Sequence, residues 1–322
     1  MKRMYAVLFV GAVILSAAWC NAAPADAPAA KVSFVEGDKK IDVMIDGKLF
    51  TSYLFDEKLT KPVLYPLIAP SGVKVSRGFP FGKVEGEATD HPHHIGIFFT
   101  YDEVNGEGFW NNTTSPPQVQ HVKVTKMEPG NDKGELCTVM NWAGKDGVLL
   151  EEKRKMVFSA APGQYEIDFS IDLTARDKKV VFGDTKEGMF AIRTAQWLRE
   201  KDGTGRYLSS EGGKTSADIW GTRARWVTLE GKKDDKTIGI AILNYAPSAN
   251  YPTFWHVRDY GLFSANPLGQ LAFEKGRKVA DAKAFGLTLE PGQTAHLNFH
   301  VMIYEGPRSA EQLDALFAKY PK

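Results

Sequence analysis

The sequence predicts an all-β protein, a large antiparallel β-sandwich closed by one C-terminal helix. Three observations carry this. Apolar and polar residues alternate with a period of two in segment after segment, clusters of Gly, Pro, Asn and Asp separate those segments, and only the last stretch has helical spacing.

The first element is a hairpin. Ile41, Val43 and Ile45 alternate with polar residues, Asp46-Gly47 suits a type I′ turn, and Leu49, Thr51, Tyr53 and Phe55 alternate again. A meander follows over 119–126, 135–142, 148–158 and 164–173. A second series is expected at 188–198, 223–229, 237–244, 284–289 and 294–304. So many short strands exceed what one open sheet holds without splitting, which favours two packed layers. Ser309 can cap the terminal helix, Gln312 completes a capping box, and Leu313, Leu316, Phe317 and Tyr320 form its apolar stripe. No repeat or linker-like break divides 31–322, so one domain is expected there.

Ahead of the sandwich, Lys2 and Arg3 lead into an apolar run from Ala6 to Ala18, followed by the small pair Ala22-Ala23. This reads as a secretory signal over 1–22, with 23–30 as a flexible spacer, and implies a periplasmic or secreted protein. The run is too short for a spanning helix, which takes roughly 20 apolar residues, and no later stretch is long and uncharged enough. Trp19 stands where lipidation of Cys20 requires a small residue. Cys137 is the other cysteine, so cleavage leaves no internal disulfide and stability must come from burial.

With 40 basic and 39 acidic residues the chain has no basic footprint for nucleic acid. Aromatic residues make up 11%, with seven tryptophans, several in loop-like segments. Such a mix suits the faces of sugars.

Two segments concentrate polar chemistry. In Asp90-His91-Pro92-His93-His94-Ile95-Gly96, three of seven histidines fall within four positions, before an apolar strand. If that strand starts at His93, His93 and His94 face opposite sides, one hydrogen-bonded in the interior and one in a cavity. A structural turn, a catalytic or substrate-binding group and a metal site all remain compatible with the cluster. The Gly-rich approach to it carries Arg77. The second segment, Phe254-Trp255-His256-Val257-Arg258-Asp259-Tyr260-Gly261, packs imidazole, guanidinium, carboxylate and aromatics into weak periodicity. It reads either as a structural Arg258–Asp259 network or as a site. Asn105, Trp110, Glu187 and Arg193 are further candidates in flanking segments, with solvated surface groups as the alternative.

The chain lacks a Gly-x-Ser-x-Gly elbow, a phosphate-binding loop, a dinucleotide fingerprint, a His-Glu-x-x-His helix and paired cysteines. No cofactor is expected, and a divalent metal on the histidine cluster with His256 is the one such possibility.

Asp90-His91-Pro92-His93-His94-x-Gly96, Asn105-Gly106 with Phe109-Trp110, and the run from Trp255 to Pro267 together resemble a secreted bacterial family of unknown function labelled methane oxygenase PmoA. The resemblance covers nearly all of the chain after the leader. The label transfers no chemistry, because the methane-oxidising subunit of that name spans membranes with several helices. Ile95 stands where many relatives of this kind carry arginine. The strand series and the Leu289-x-Pro291-Gly292-Gln293 turn are also similar to galactose-mutarotase-like sandwiches, in architecture more than in motif.

The expectation is an exported carbohydrate-active enzyme that hydrolyses, eliminates or epimerises a glycoside. In this reading His94 or His256 moves a proton beside Glu187 or Asp259. Arg77, Arg193 and Arg258 hold the substrate, helped by His91, His93, Asn105 and Tyr260, and Trp110 or Trp255 stacks on it. The alternatives are a non-catalytic sugar-binding or envelope scaffold protein and a metal-dependent enzyme.

Overall fold

The computed structural model describes residues 30–112 and 116–322. The expected secretory signal over 1–22 and nearly all of the expected spacer over 23–30 lie outside them. Every strand pairing is antiparallel. One sheet has nine strands, running from Phe254–Val257 at one edge through Leu262–Asn266, Gly188–Arg193, Ile97–Tyr101 and Val63–Leu64 to the N-terminal hairpin and beyond. The second has eight, with Thr294–Glu305 and Gln164–Ala175 at its centre. A two-stranded ribbon, Val180–Val181 with Thr288–Leu289, stands apart.

The inward faces of the two sheets meet in one apolar cluster. Phe190 of the first sheet stacks on Phe299 of the second at 4.4 Å and meets the edge of Phe169 at 4.8 Å. Phe50 likewise packs on Phe158 and Tyr165. These interdigitating aromatics are the reason the period-two pattern is so regular: one side of each strand is sealed against the other layer.

The N-terminal hairpin forms as its sequence directs, with Asp46 and Gly47 both at positive φ (49° and 73°), as a type I′ turn demands. The terminal helix Ala310–Phe317 carries the Ser309–Gln312 capping box and buries Leu313 and Phe317. Two short helices join it, Ser216–Ile219 and Gln270–Gly276, each too short for a strong periodic signal.

Three expected strands change. The 188–198 segment leaves the sheet after Arg193 and ends in a 3₁₀ turn at Gln196–Leu198, and 284–289 is extended only at Thr288–Leu289. The strand expected from His93 begins at Ile97 instead. His91 to His94 form a turn in which His94 N–H donates to the His91 carbonyl at 3.0 Å, so simple alternation does not place their side chains. Gly96 makes the transition possible, since it sits at φ 52° and a Cβ there would lie 2.0 Å from the Leu64 carbonyl oxygen.

Candidate functional site

The outward face of the nine-stranded sheet brings the two polar segments together. Phe98 pairs with Ala191, Ala191 with Ser264, and Ser264 with His256, so these side chains lie in one row on one face. Their neighbours Phe99 and Phe190 point the other way, into the core. The row spans three strand spacings, roughly 14 Å from the Phe98 backbone to that of His256.

Asp90 organises one end. Its Oδ1 accepts from Arg77 Nη1 at 3.0 Å and Arg193 Nη2 at 2.7 Å, while its Oδ2 pairs with His91 Nδ1 at 2.8 Å. Burial by itself would raise the Asp90 carboxyl, but Arg193, His91 and Arg77 outweigh it and hold it below the usual carboxylate range. Arg77 is 2% exposed and also donates to the carbonyls of Ala88, Asp90, His91 and His94. That fork pins the loop and keeps His91 at φ 45°, a left-handed conformation uncommon outside glycine. Arg77 is therefore a positioning residue.

The His91 ring lies between two others, stacked on Tyr260 at 5.3 Å and on His94 at 4.9 Å. His94 in turn stacks on Phe98 at 5.5 Å and meets the edge of Trp110 at 5.5 Å. The contact between His91 and Tyr260 is where the loops around residues 90 and 260 join. Arg193 reinforces it, with its guanidinium 4.8 Å over the Tyr260 ring and Nη1 3.3 Å from His94 Nδ1. Because arginine can only donate, His94 Nδ1 accepts and its proton sits on Nε2. Burial, then the charges of His93 and Arg193, push the His94 imidazolium well down, and His93 falls to about 3 for similar reasons. Both rings are neutral, and neither Nε2 has a hydrogen-bond partner among the described residues.

The second end is different. His256 is 1% exposed beneath Phe273, and its Nε2 accepts from Arg258 Nε at 3.1 Å. Burial and then Arg258 lower it to about 3, so it too is neutral, serving to hold Arg258. The Arg258 guanidinium lies 5.3 Å over the Trp220 ring. A cavity of about 570 Å³ opens beside it, lined by Asp184, Thr185, Lys186, Trp220, Arg258 and Ala272. Tyr260 links the ends, because Arg193, Arg258, Glu187 and Asp90 all act on its hydroxyl, which burial raises above the usual phenol range.

Several expected roles need correction. Trp255 is fully buried on the core side, with Nε1 donating to the Ala224 carbonyl at 3.0 Å, so it offers no stacking surface. It lies one residue from His256, and alternation sends it inward. Asn105 lies in the turn beyond the far end of strand Ile97–Tyr101, bonded to Lys179 and Val181, away from the histidines. Asp259 is exposed and makes no side-chain bond to His256. Glu187 pairs with Lys186 rather than with a histidine. Trp110 is fully buried and packs on Phe98 and His94, so it forms the floor rather than an open platform.

Three residues that sequence reasoning missed belong to this face. Asp90 lay inside the histidine motif, and its one-residue spacing from His91 was the available signal. Lys61 and Trp220 had none, since each reaches the site from a remote segment. Lys61 is 2% exposed, donates to Asn112 Oδ1 at 2.9 Å and to the Phe109 and Trp110 carbonyls, and burial lowers it to about 7. Among the described residues no group of three or more His, Cys, Asp or Glu side chains is arranged to hold a metal ion.

In shape the chain is similar to a family 36 α-galactosidase from Geobacillus stearothermophilus (10% identity, TM-score 0.47, covering 90% of this chain and 43% of that one). It is also similar to a putative aldose 1-epimerase from Klebsiella pneumoniae (10%, 0.41, 92% and 88%) and to another from Escherichia coli (12%, 0.37, 86% and 99%). The chain thus spans less than half of the α-galactosidase. No curated protein matches it. A family model does, over residues 40–318, and the chain belongs to the group described as Family of unknown function (DUF6807).

Proposed function

We propose that the outward face of the nine-stranded sheet is the active site of an exported carbohydrate-active enzyme, and that His91 carries its proton transfer. The observation behind this is the Asp90–His91 pair at the open rim. Asp90 Oδ2 accepts the Nδ1 proton at 2.8 Å, which leaves the Nε2 lone pair of a 40% exposed ring facing outward. The ring is held in a stack between Tyr260 and His94, so its plane is fixed before substrate arrives.

The surroundings supply complementary parts. His94, neutral and protonated at Nε2, offers a hydrogen-bond donor that no protein group uses among the described residues. In a glycoside reaction His91 Nε2 takes a proton from an attacking hydroxyl, from water or from an acidified ring carbon. The His94 N–H then steadies the oxygen on which charge develops. Arg193 and Arg77 keep the Asp90 carboxylate ionised and the pair in register. This moves the general base from His94 or His256, both 1% exposed, to their exposed neighbour.

Product analysis of the full chain against a glycan panel tests the reading. Sugar-dependent turnover that falls at least roughly 100-fold in His91→Ala, with folding intact, is the expected result. Full turnover in that variant removes His91 from the chemistry. Glycan binding with no product from any substrate makes this a binding protein.

A further inference from the structure

The cavity at the His256 end carries a feature that the proton-transfer chemistry does not use. Arg258 donates its Nε to His256, and it has no carboxylate partner among the described residues. Asp259, the next residue, is exposed and makes no ion pair with it, and two further acidic groups nearby are committed elsewhere. Asp184 lines the cavity, but its Oδ2 accepts from Leu271 N at 2.8 Å and its Oδ1 from Ala272 N at 2.7 Å. Glu187 is ion-paired with Lys186. The cavity therefore holds one guanidinium with no ion-pair partner among the described residues, across from an Asp184 carboxylate that backbone amides hold in place.

Its orientation is also set. His256, neutral and buried, occupies Nε, and Trp220 lies 5.3 Å below the guanidinium plane, so the pair of terminal nitrogens is the edge left for a ligand. Two parallel N–H donors in a fixed plane match the two oxygens of a carboxylate better than a round anion or a neutral hydroxyl. Trp220 contributes the ring face beneath the guanidinium, one wall of the same cavity.

We infer that the substrate is an acidic sugar, and that Arg258, framed by His256 and Trp220, binds the carboxylate of a uronic acid residue in this cavity. The inference rests on the carbohydrate reading above and names its substrate class. Tyr260, two residues beyond Arg258, stacks on His91, so the loop that carries the guanidinium also touches the proton-transfer group. A single substrate can then span both ends of the row.

Titration calorimetry on the full chain tests this with short gluco-, galacto- and mannuronides, each beside its carboxyl-reduced partner, and with a sulfated neutral trisaccharide. At least one uronide is expected to bind roughly tenfold or more tightly than its reduced partner, the scale of a charge-assisted pair. Arg258→Gln should erase that preference while leaving affinity for the reduced form. Trp220→Leu, which keeps the guanidinium, should weaken the preference, and thermal melts establish that each variant is folded. Equal binding of acid and reduced forms overturns the inference and leaves the carbohydrate reading standing. A preference for the sulfated sugar, or a uronide preference untouched in both variants, also overturns it. No binding by any sugar, acidic or neutral, defeats the carbohydrate reading itself.

Discussion

Both sheets of the sandwich carry histidines bonded to aspartates, the eight-stranded sheet two of them (His300 with Asp168 and the exposed His296 with Asp172), and the pairs of His91 and His300 have opposite fates. On the nine-stranded sheet His91 meets Asp90 Oδ2 at 2.8 Å with its side chain 40% exposed. On the eight-stranded sheet His300 meets Asp168 Oδ1 at 2.8 Å, yet its ring is fully buried. The C-terminal segment makes the difference. Phe317 of the terminal helix and Tyr320 just beyond it close over His300, and the Tyr320 hydroxyl lies 2.7 Å from the same Nδ1. A histidine–carboxylate pair is thus a fastener when an apolar helix covers it, and what separates the open His91 pair from the equally open His296–Asp172 pair is its flanking His94, Tyr260 and Arg193.

The comparison can be broken at the carboxylates first. Asp90→Asn leaves two guanidinium groups, each 1–2% exposed, without their shared anion. A loss of about 2 kcal/mol is expected, less than for a fully sealed pair because Asp90 is itself 43% exposed, together with loss of turnover. Chemical denaturation and product assays measure the two effects; unchanged stability would show that Arg77 and Arg193 find other partners. The histidines then separate the roles. His91→Gln should lower turnover by roughly 100-fold with little change in stability. His300→Gln should lower stability by about 1–2 kcal/mol and leave turnover intact. If the pattern is reversed, the site lies on the other sheet.

Acid sharpens the contrast further. His93 and His256 are depressed to about 3 in the folded protein against about 6.5 when unfolded, so the unfolded chain takes up more protons between those values. Their contribution is complete above pH 6.5 and is lost as the pH falls toward 3. The melting temperature of His93→Asn should accordingly decline less steeply than that of the parent between pH 6.5 and pH 4. Lys61 has the mirrored consequence on the alkaline side. Its folded value is about 7 and its unfolded value 10.5, so the cost of burying its charge is relieved as the pH rises through that window. Parent stability should gain on Lys61→Met from pH 7 to pH 10, measured by chemical denaturation across that range.

How much of this was readable beforehand follows from how local each signal is. The Asp46-Gly47 hairpin and the Ser309–Gln312 cap were legible because turn conformation and capping are decided within a few residues. The two chemistry-bearing segments were also legible, since composition marks them out. The roles inside them were not. Trp255 and His256 are sequence neighbours, and pairing with the next strand sends the tryptophan inward and the histidine outward. The strand begins at Ile97, four residues after the start expected at His93, so alternation had no frame to count from. Lys61 and Trp220 enter from segments with no motif at all.

Periodicity, capping and composition act over short stretches of chain, so the strand pattern, the terminal helix and the two polar segments were all legible before folding. Packing between remote segments made Asp90 the organising carboxylate, kept His91 rather than His94 open, and left Arg258 without an ion-pair partner among the described residues. Those outcomes depend on which remote surfaces pack over each group, and exposure is a property of the whole fold rather than of any residue in it.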